Sequence, residues 1–261
     1  MNNDRNVAAE KWSTALPQWA IPERIFAQAP TSPWIHPVES FRPEGDLYVS
    51  TPSRHRALEA LPDGGSVLDI GCGGGRAAFG LTPPARRIVG VDHQAGMLEV
   101  FAAEAHARGV DVATVLGDWP DVADRTPTCD VVTCHHVFYN VANLAPFVEA
   151  LTSHARRRVV VELPQRHPLS SMSPMWKHFW DLDRPTDPTG HDALAVVEST
   201  GVRAHLELFD VAVDPRPVTD RDVEFTRIRL CLTADRDMEI RRYMEEHPVT
   251  TRPTATIWWD V

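Results

Sequence analysis

Asp69-Ile70-Gly71-Cys72-Gly73-Gly74-Gly75 places an acid near the end of an apolar run and follows it with a glycine turn. Val67-Leu68-Asp69-Ile70 reads as a parallel strand and Arg76-Ala77-Ala78-Phe79 as the opening of a helix. Between them, glycines let the main chain bend tightly against a ligand, and the helix start offers it free N–H groups. Spacing narrows the ligand. A dinucleotide fingerprint counted from Gly71 needs a third glycine where Arg76 stands, and the Gly-Lys-Ser/Thr of a phosphate loop occurs nowhere. What remains is an Asp-x-Gly-x-Gly-x-Gly turn built from Asp69, Gly71, Gly73 and Gly75.

Two further acids follow in the same way. Ile88-Val89-Gly90-Val91 runs into Asp92 and His93, where a carboxylate can accept two hydrogen bonds from a ribose diol. Thr114-Val115-Leu116-Gly117 runs into Asp118 and Trp119, an acid within reach of an adenine amino group beside an apolar ring. The three acids fall at successive strand ends, where open α/β sheets bind ligands.

The elements that must position them alternate between strand and helix, the sign of a doubly wound parallel sheet. Strands are expected at 66–70, 88–92, 112–116, 129–134, 158–163 and 203–211, and helices at 76–81, 95–108, 143–155 and 191–200. Ser53 is expected to cap a helix running to Leu61. Thr219 with Asp220, Asp222 and Glu224 reads as a capped, acid-rich start to another helix, and a further helix spans 235–246. The last strand is Thr254 to Trp259.

On these residues the chain resembles the class I S-adenosylmethionine-dependent methyltransferases, in particular the small-molecule branch that includes the ubiquinone and menaquinone biosynthesis enzymes. The likeness is close over residues 53–163 and loose elsewhere. It implies a Rossmann-like, mostly parallel seven-stranded sheet whose antiparallel last strand lies beside strand five. It also implies S-adenosyl-L-methionine as cofactor. Asp69 and the turn Gly71, Cys72, Gly73, Gly75 would then pass under the methionine and ribose. Asp92 and His93 would serve the ribose, Gly117, Asp118 and Trp119 the adenine, and His135 and His136 would stand beside the methyl donor. One departure is plain: where the family carries Lys-Pro-Gly-Gly before strand five, this chain has Ser153-His154-Ala155-Arg156-Arg157-Arg158.

Methyl transfer from a sulfonium is an in-line displacement, so alignment and exclusion of water matter most. A hydroxyl acceptor also benefits from a general base, and histidine suits that role. His135, His136, Tyr139, Asn140, Glu162 and His167 all fall at the carboxyl ends of strands four and five; His136 leads, with His135, Tyr139 and His167 behind it. Arg227 and Arg229 could meet an acidic substrate if their helix faces the crevice. The leading function is methylation of oxygen or carbon on a small metabolite or natural-product intermediate. Its rival is a non-catalytic protein that binds the cofactor within a pathway complex, its crevice closed by Trp176 and Trp180. A nicotinamide oxidoreductase is disfavoured by Arg76.

With 26 basic and 36 acidic residues the chain carries a net charge of −10, which argues against nucleic acid as a partner. The one basic run, Arg156 to Arg158, reads as a solvated helix end. Lysine occurs only at Lys11 and Lys177. Cys72, Cys129, Cys134 and Cys231 form no paired motif and read as reduced thiols, and no metal site is expected. Neither a signal peptide nor an apolar membrane segment is visible, so a cytoplasmic protein is expected.

Residues 1–52 read as a separate wrapping segment and residues 53–261 as the methyltransferase domain. Prolines recur through the former (Pro17, Pro22, Pro30, Pro33, Pro37, Pro43), interleaved with Trp12, Trp19, Trp34 and Phe41, whose rings need burial. A proline-bounded insertion, 164–190, holds Met172, Met175, Trp176, Phe179 and Trp180 on one helical face. That face could roof the crevice, pack on the protein's own core, or pair with a second copy in a homodimer.

Overall fold

The computed structural model describes residues 2–33 and 47–261; Trp34, Pro37, Phe41 and Pro43 lie outside them. Seven strands form one sheet: β1 (Ser66–Ile70), β2 (Arg87–Asp92), β3 (Asp111–Leu116), β4 (Cys129–His135), β5 (Ala155–Pro164), β6 (His205–Ala212) and β7 (Thr251–Asp260). Their order is β3-β2-β1-β4-β5-β7-β6. The first five run parallel, while β7 lies antiparallel between β5 and β6. β1 is buried at every residue, as expected of a central strand covered on both faces. The order steps outward from β1 in both directions, so a crevice opens at the carboxyl ends of β1 and β4.

The helices are α1 (Asn2–Ala15), α2 (Glu23–Phe26), α3 (Pro52–Ala60), α4 (Arg76–Phe79), α5 (Ala95–Ala107), α6 (Leu144–His154), α7 (Ser173–Trp180), α8 (Gly190–Ser199), α9 (Asp220–Arg229) and α10 (Asp237–Glu246). Thr219 caps α9 through a reciprocal box with Asp222, and Thr189 caps α8 in the same way with Asp192. Ser53 does not cap α3. Thr51 accepts from the Arg54 amide instead, which releases the Ser53 side chain to point inward.

The basic run is strand rather than helix end. α6 passes straight into β5 at Ala155, so the segment that departs from the family turn needs no glycine. Arg156 bonds Asp130 and Ser66, and Arg158 pairs with Glu59 and Asp260. These cations tie the amino end of the sheet together, opposite the crevice.

The described part of the N-terminal segment packs against the rest of the chain. Trp12 of α1 is fully buried, donates its indole N–H to the Val141 carbonyl at 2.8 Å and stacks on Tyr139. Trp19 stacks on His167 at 4.3 Å and donates to the Asp187 carbonyl, while Arg184 reaches back to the Trp19 and Ala20 carbonyls. The insertion helix α7 resolves among its alternatives in favour of the protein's own core. Trp176 is buried in a satellite cluster with Ile25, Val223, Leu230 and Ile240, and the Trp180 indole donates to the Leu230 carbonyl. An apolar helical stripe fixes that something covers it, not what.

Candidate active site

Asp69 stands near the end of β1 and is 1% exposed. One oxygen accepts from the Thr133 hydroxyl at 2.9 Å, and the other faces the Ala78 amide of α4 at 3.4 Å. It therefore braces β1, β4 and the short α4 together. Burial, reinforced by nearby Asp92, raises its carboxyl to about 7 against the pull of those two hydrogen bonds.

The turn beyond it requires glycine for reasons of packing. Gly71 has φ +67°, and a Cβ there would sit 2.4 Å from the Val137 side chain. At Gly75, φ +91°, a Cβ would strike the Phe79 and Phe101 rings at 2.4 and 2.7 Å. The bend thus keeps α4 close to the sheet and leaves the main chain of Gly71 to Gly75 at the crevice. Cys72 turns inward: it is buried, its thiol lies over the Gly73 carbonyl, and burial pushes the thiol well up. Only its backbone faces the crevice side.

Asp92 ends β2 and ties the turn in place. Its Oδ2 accepts from the Gly73 amide at 3.0 Å and its Oδ1 from the Gln94 amide at 2.9 Å. A carboxylate has about four lone-pair sites, so both oxygens keep capacity for a sugar diol. The Gly117 amide donates to the Asp92 carbonyl, which seats the following Asp118 beside it. The Asp118 side chain is exposed and makes no hydrogen bond to a described residue. His93 is largely exposed, 3.7 Å from Asp92. Trp119 turns toward α6, donating to the Phe147 carbonyl and meeting His154 edge-on. Acceptor-only groups in this series fit the hydroxyls and amino group of an adenosyl ligand.

On the other side of α4 lies a cavity of about 560 Å³ at the carboxyl ends of β4 and β5 and the amino end of the antiparallel β7. Thr133, His135 and His136 line it from β4 and its exit, Glu162 from β5, and Ser53 and Arg54 from α3. Glu162 makes three contacts, two of them with His136. Its Oε1 lies 3.4 Å from His136 Nε2, its Oε2 accepts from the Ser53 hydroxyl, and its carbonyl accepts from the His136 amide at 2.7 Å. Burial alone would raise this carboxyl, but His135, His136 and Ser53 together bring it down to about 2. It is held as an anion.

His136 has φ +61°, a left-handed backbone uncommon outside glycine and one that collects at functional sites. Its ring is 57% exposed toward the cavity side while its backbone is pinned to β5. His135 is the inner partner; its Nε2 is buried without a hydrogen-bond partner, and burial pushes the imidazole down toward the neutral form.

Tyr139 and His167 stand apart from this cavity. The Tyr139 hydroxyl donates to the Pro164 carbonyl and its ring lies against Trp12 and His167, so both belong to the N-terminal clamp. Burial pushes the Tyr139 phenol well up, and burial together with Arg184 lowers His167 to about 4. Arg227 pairs with Asp237 on the satellite cluster. Arg54 and Arg252 line the cavity without having stood out in the sequence, where Ser53 read only as a helix cap and Arg76 only as the break in the dinucleotide spacing.

Residues 67–158 match the family of the methyltransferase domain. The chain is 28% identical over 174 residues to the cypemycin N-terminal methyltransferase of a Streptomyces species, spanning 67% of this chain and 68% of that one. It is 25% identical over 198 residues to a ubiquinone biosynthesis O-methyltransferase of Marinobacter nauticus, spanning 67% and 82%. Other curated relatives match over little more than a third of their own length. In fold it is similar to a SAM-dependent methyltransferase from Archaeoglobus fulgidus, with a TM-score of 0.51 over 85% of this chain and 97% of that one at 18% identity. The chain therefore carries a methyltransferase domain over residues 67–158, within a fold like that of an S-adenosylmethionine-dependent methyltransferase.

Proposed function

We propose that this enzyme methylates an oxygen or an acidic carbon of a small organic acceptor, with His136 removing the acceptor's proton. The observation that carries this reading is the His136–Glu162 pair at the wall of the cavity, 3.4 Å apart, with Ser53 fixing the far carboxylate oxygen. Asp69 and the Gly71–Gly75 turn, Asp92 and Asp118 would hold S-adenosyl-L-methionine. When bound, the cofactor supplies an electrophilic methyl group on a positively charged sulfur.

The chain's own residues do the rest. Glu162, kept anionic, orients the His136 ring toward the acceptor's proton. His135, buried and pushed toward neutrality, keeps a second charge away from the same spot. The apolar walls, Leu47, Val49, Ala57 and Leu81, exclude water from the reacting atoms.

The rival reading, a protein that binds the cofactor without turnover, would fit a crevice closed by Trp176 and Trp180. Those rings lie in the satellite cluster, and an open cavity beside the histidines supports catalysis. We assign the cytoplasm as its compartment, because all four cysteines are free and buried. No helix among the described residues is long and apolar enough to cross a membrane.

The reading is tested in two steps. Calorimetry with S-adenosylhomocysteine should show binding to the wild type, weakened at least tenfold by Asp92→Ala. Cell extracts incubated with methyl-labelled cofactor should then yield a labelled small molecule with the wild type only. Glu162→Gln should lower kcat about 10²-fold, in line with general-base contributions, at unchanged S-adenosylhomocysteine affinity. Full turnover by both Glu162→Gln and His136→Asn would remove the proposed base.

A further inference from the structure

The cavity has a charge imbalance that the methyl-transfer reading leaves unused. Three arginines line it, Arg54, Arg76 and Arg252, against one acid among the described residues, Glu162. That acid is already engaged by His136 and Ser53. Arg54 spends only its Nε on the protein, donating to the Gly80 carbonyl at 2.7 Å with its guanidinium over the Tyr48 ring. Arg252 makes no ion pair with any described residue. The cofactor adds a sulfonium and an ammonium against a single carboxylate, so its arrival leaves the site more positive still.

Strand order separates the arginines. Arg54 and Arg76 flank the β1–α4 side, within reach of the cofactor's methionine end. Arg252 opens β7, which lies beyond β4 and β5 from β1. Three inter-strand steps of about 4.8 Å put it roughly 14 Å from the glycine turn, too far to serve the cofactor's carboxylate. It is in register with Val211, four residues before Thr256, which pairs with Glu162. Positions 252, 254 and 256 share one face of β7, and Arg252, Thr254 and Val211 all line the cavity. Four residues of strand span about 13 Å, and a bent arginine side chain closes around half of that. Arg252 of β7 and His136 at the exit of β4 thus line the same cavity.

Resting on the methyltransferase reading, we propose that the acceptor is an oxyanion-bearing small molecule, carboxylate or phosphate, whose anionic group is read by Arg252 while its methylated end faces His136. The planar fork of a guanidinium matches such groups bidentately. Leu47, Val49 and Val211 would flank the apolar body between the two ends. Arg252 is a specificity residue in this scheme and takes no part in the transfer itself.

The test uses the full chain saturated with S-adenosylhomocysteine, whose binding is measured first by calorimetry. Matched probes are then titrated: 4-hydroxybenzoate against 4-hydroxybenzamide, 4-hydroxyphenylacetate against its amide, and 4-hydroxyphenyl phosphate as the phosphate arm. The expected result is at least tenfold tighter binding of an anion over its neutral partner. The better of the carboxylate and phosphate arms identifies the group. Arg252→Gln should bring that preference within threefold, and Arg252→Lys should restore part of it, with S-adenosylhomocysteine affinity unchanged in both. Equal binding of the neutral probes overturns the proposal, as does a preference that survives Arg252→Gln or failure of every anion to bind at millimolar concentration. Absent S-adenosylhomocysteine binding would instead count against the methyltransferase reading.

Discussion

Asp69 sits where an ionised carboxylate is least welcome without a cation nearby. Its pKa near 7 lies above the ordinary 3.8 because it is buried and Asp92 stands close. A folded-state pKa above the unfolded one means the native chain binds this proton more tightly. Its contribution therefore falls as pH rises from about 4 to about 7, by about 4 kcal/mol at 1.4 kcal/mol per unit. Asp69→Asn should flatten the stability of the ligand-free protein between pH 5 and 8, measured by urea midpoints. A cationic cofactor favours the ionised form, so wild-type affinity should rise with pH through neutrality and Asp69→Asn should lose that rise. Gly75→Ala tests the same corner sterically. A methyl group 2.4 Å from Phe79, at φ +91°, should cost about 2–4 kcal/mol from overpacking and backbone strain.

At the scale of elements, α1 matters more than its place ahead of the sheet suggests. Trp12→Ala should cost about 3–5 kcal/mol, because it empties a fully buried site and orphans the Val141 carbonyl. Loosening the adjoining 138–141 loop should also disturb His136. The second clamp, Trp19 on His167, has a pH signature. His167 titrates near 4 in the folded chain against 6.5 as a free imidazole, lowered by burial and by Arg184. The unfolded chain takes up this proton first, so stability is lost as pH falls from 6.5 toward 4. His167→Phe keeps the stack and should soften that acid limb, at a cost of about 1 kcal/mol for the cap to Leu169.

Across the whole molecule, what could be read in advance followed from periodicity and spacing. The acids and glycines at 69–75, 92 and 118 announced strand ends because short apolar runs stop there. The alternation of strand and helix fixed a doubly wound sheet. What stayed hidden depended on partners distant in sequence. Thr51 and Ser53 are equally able to cap a helix, and only Glu162 across the cavity decides which one does. Arginines 156–158 look like a helix end until Asp130, Glu59 and Asp260 arrive from elsewhere. The cavity itself is assembled from α3, α4 and the ends of β4 to β7, so no single stretch of chain carries its outline.

The position of β7 has a consequence for how the protein is made. It is the last of the seven strands to be synthesised, yet it lies inside the sheet with Trp259 and Ile257 fully buried. Until it emerges, the nascent chain must carry β5 with a bare edge and β6 with no neighbour at all. Such exposed edges invite pairing with other unfinished chains. Completion of the sheet therefore coincides with closure of the cavity wall, because the strand that seals it also delivers Arg252 and Thr254.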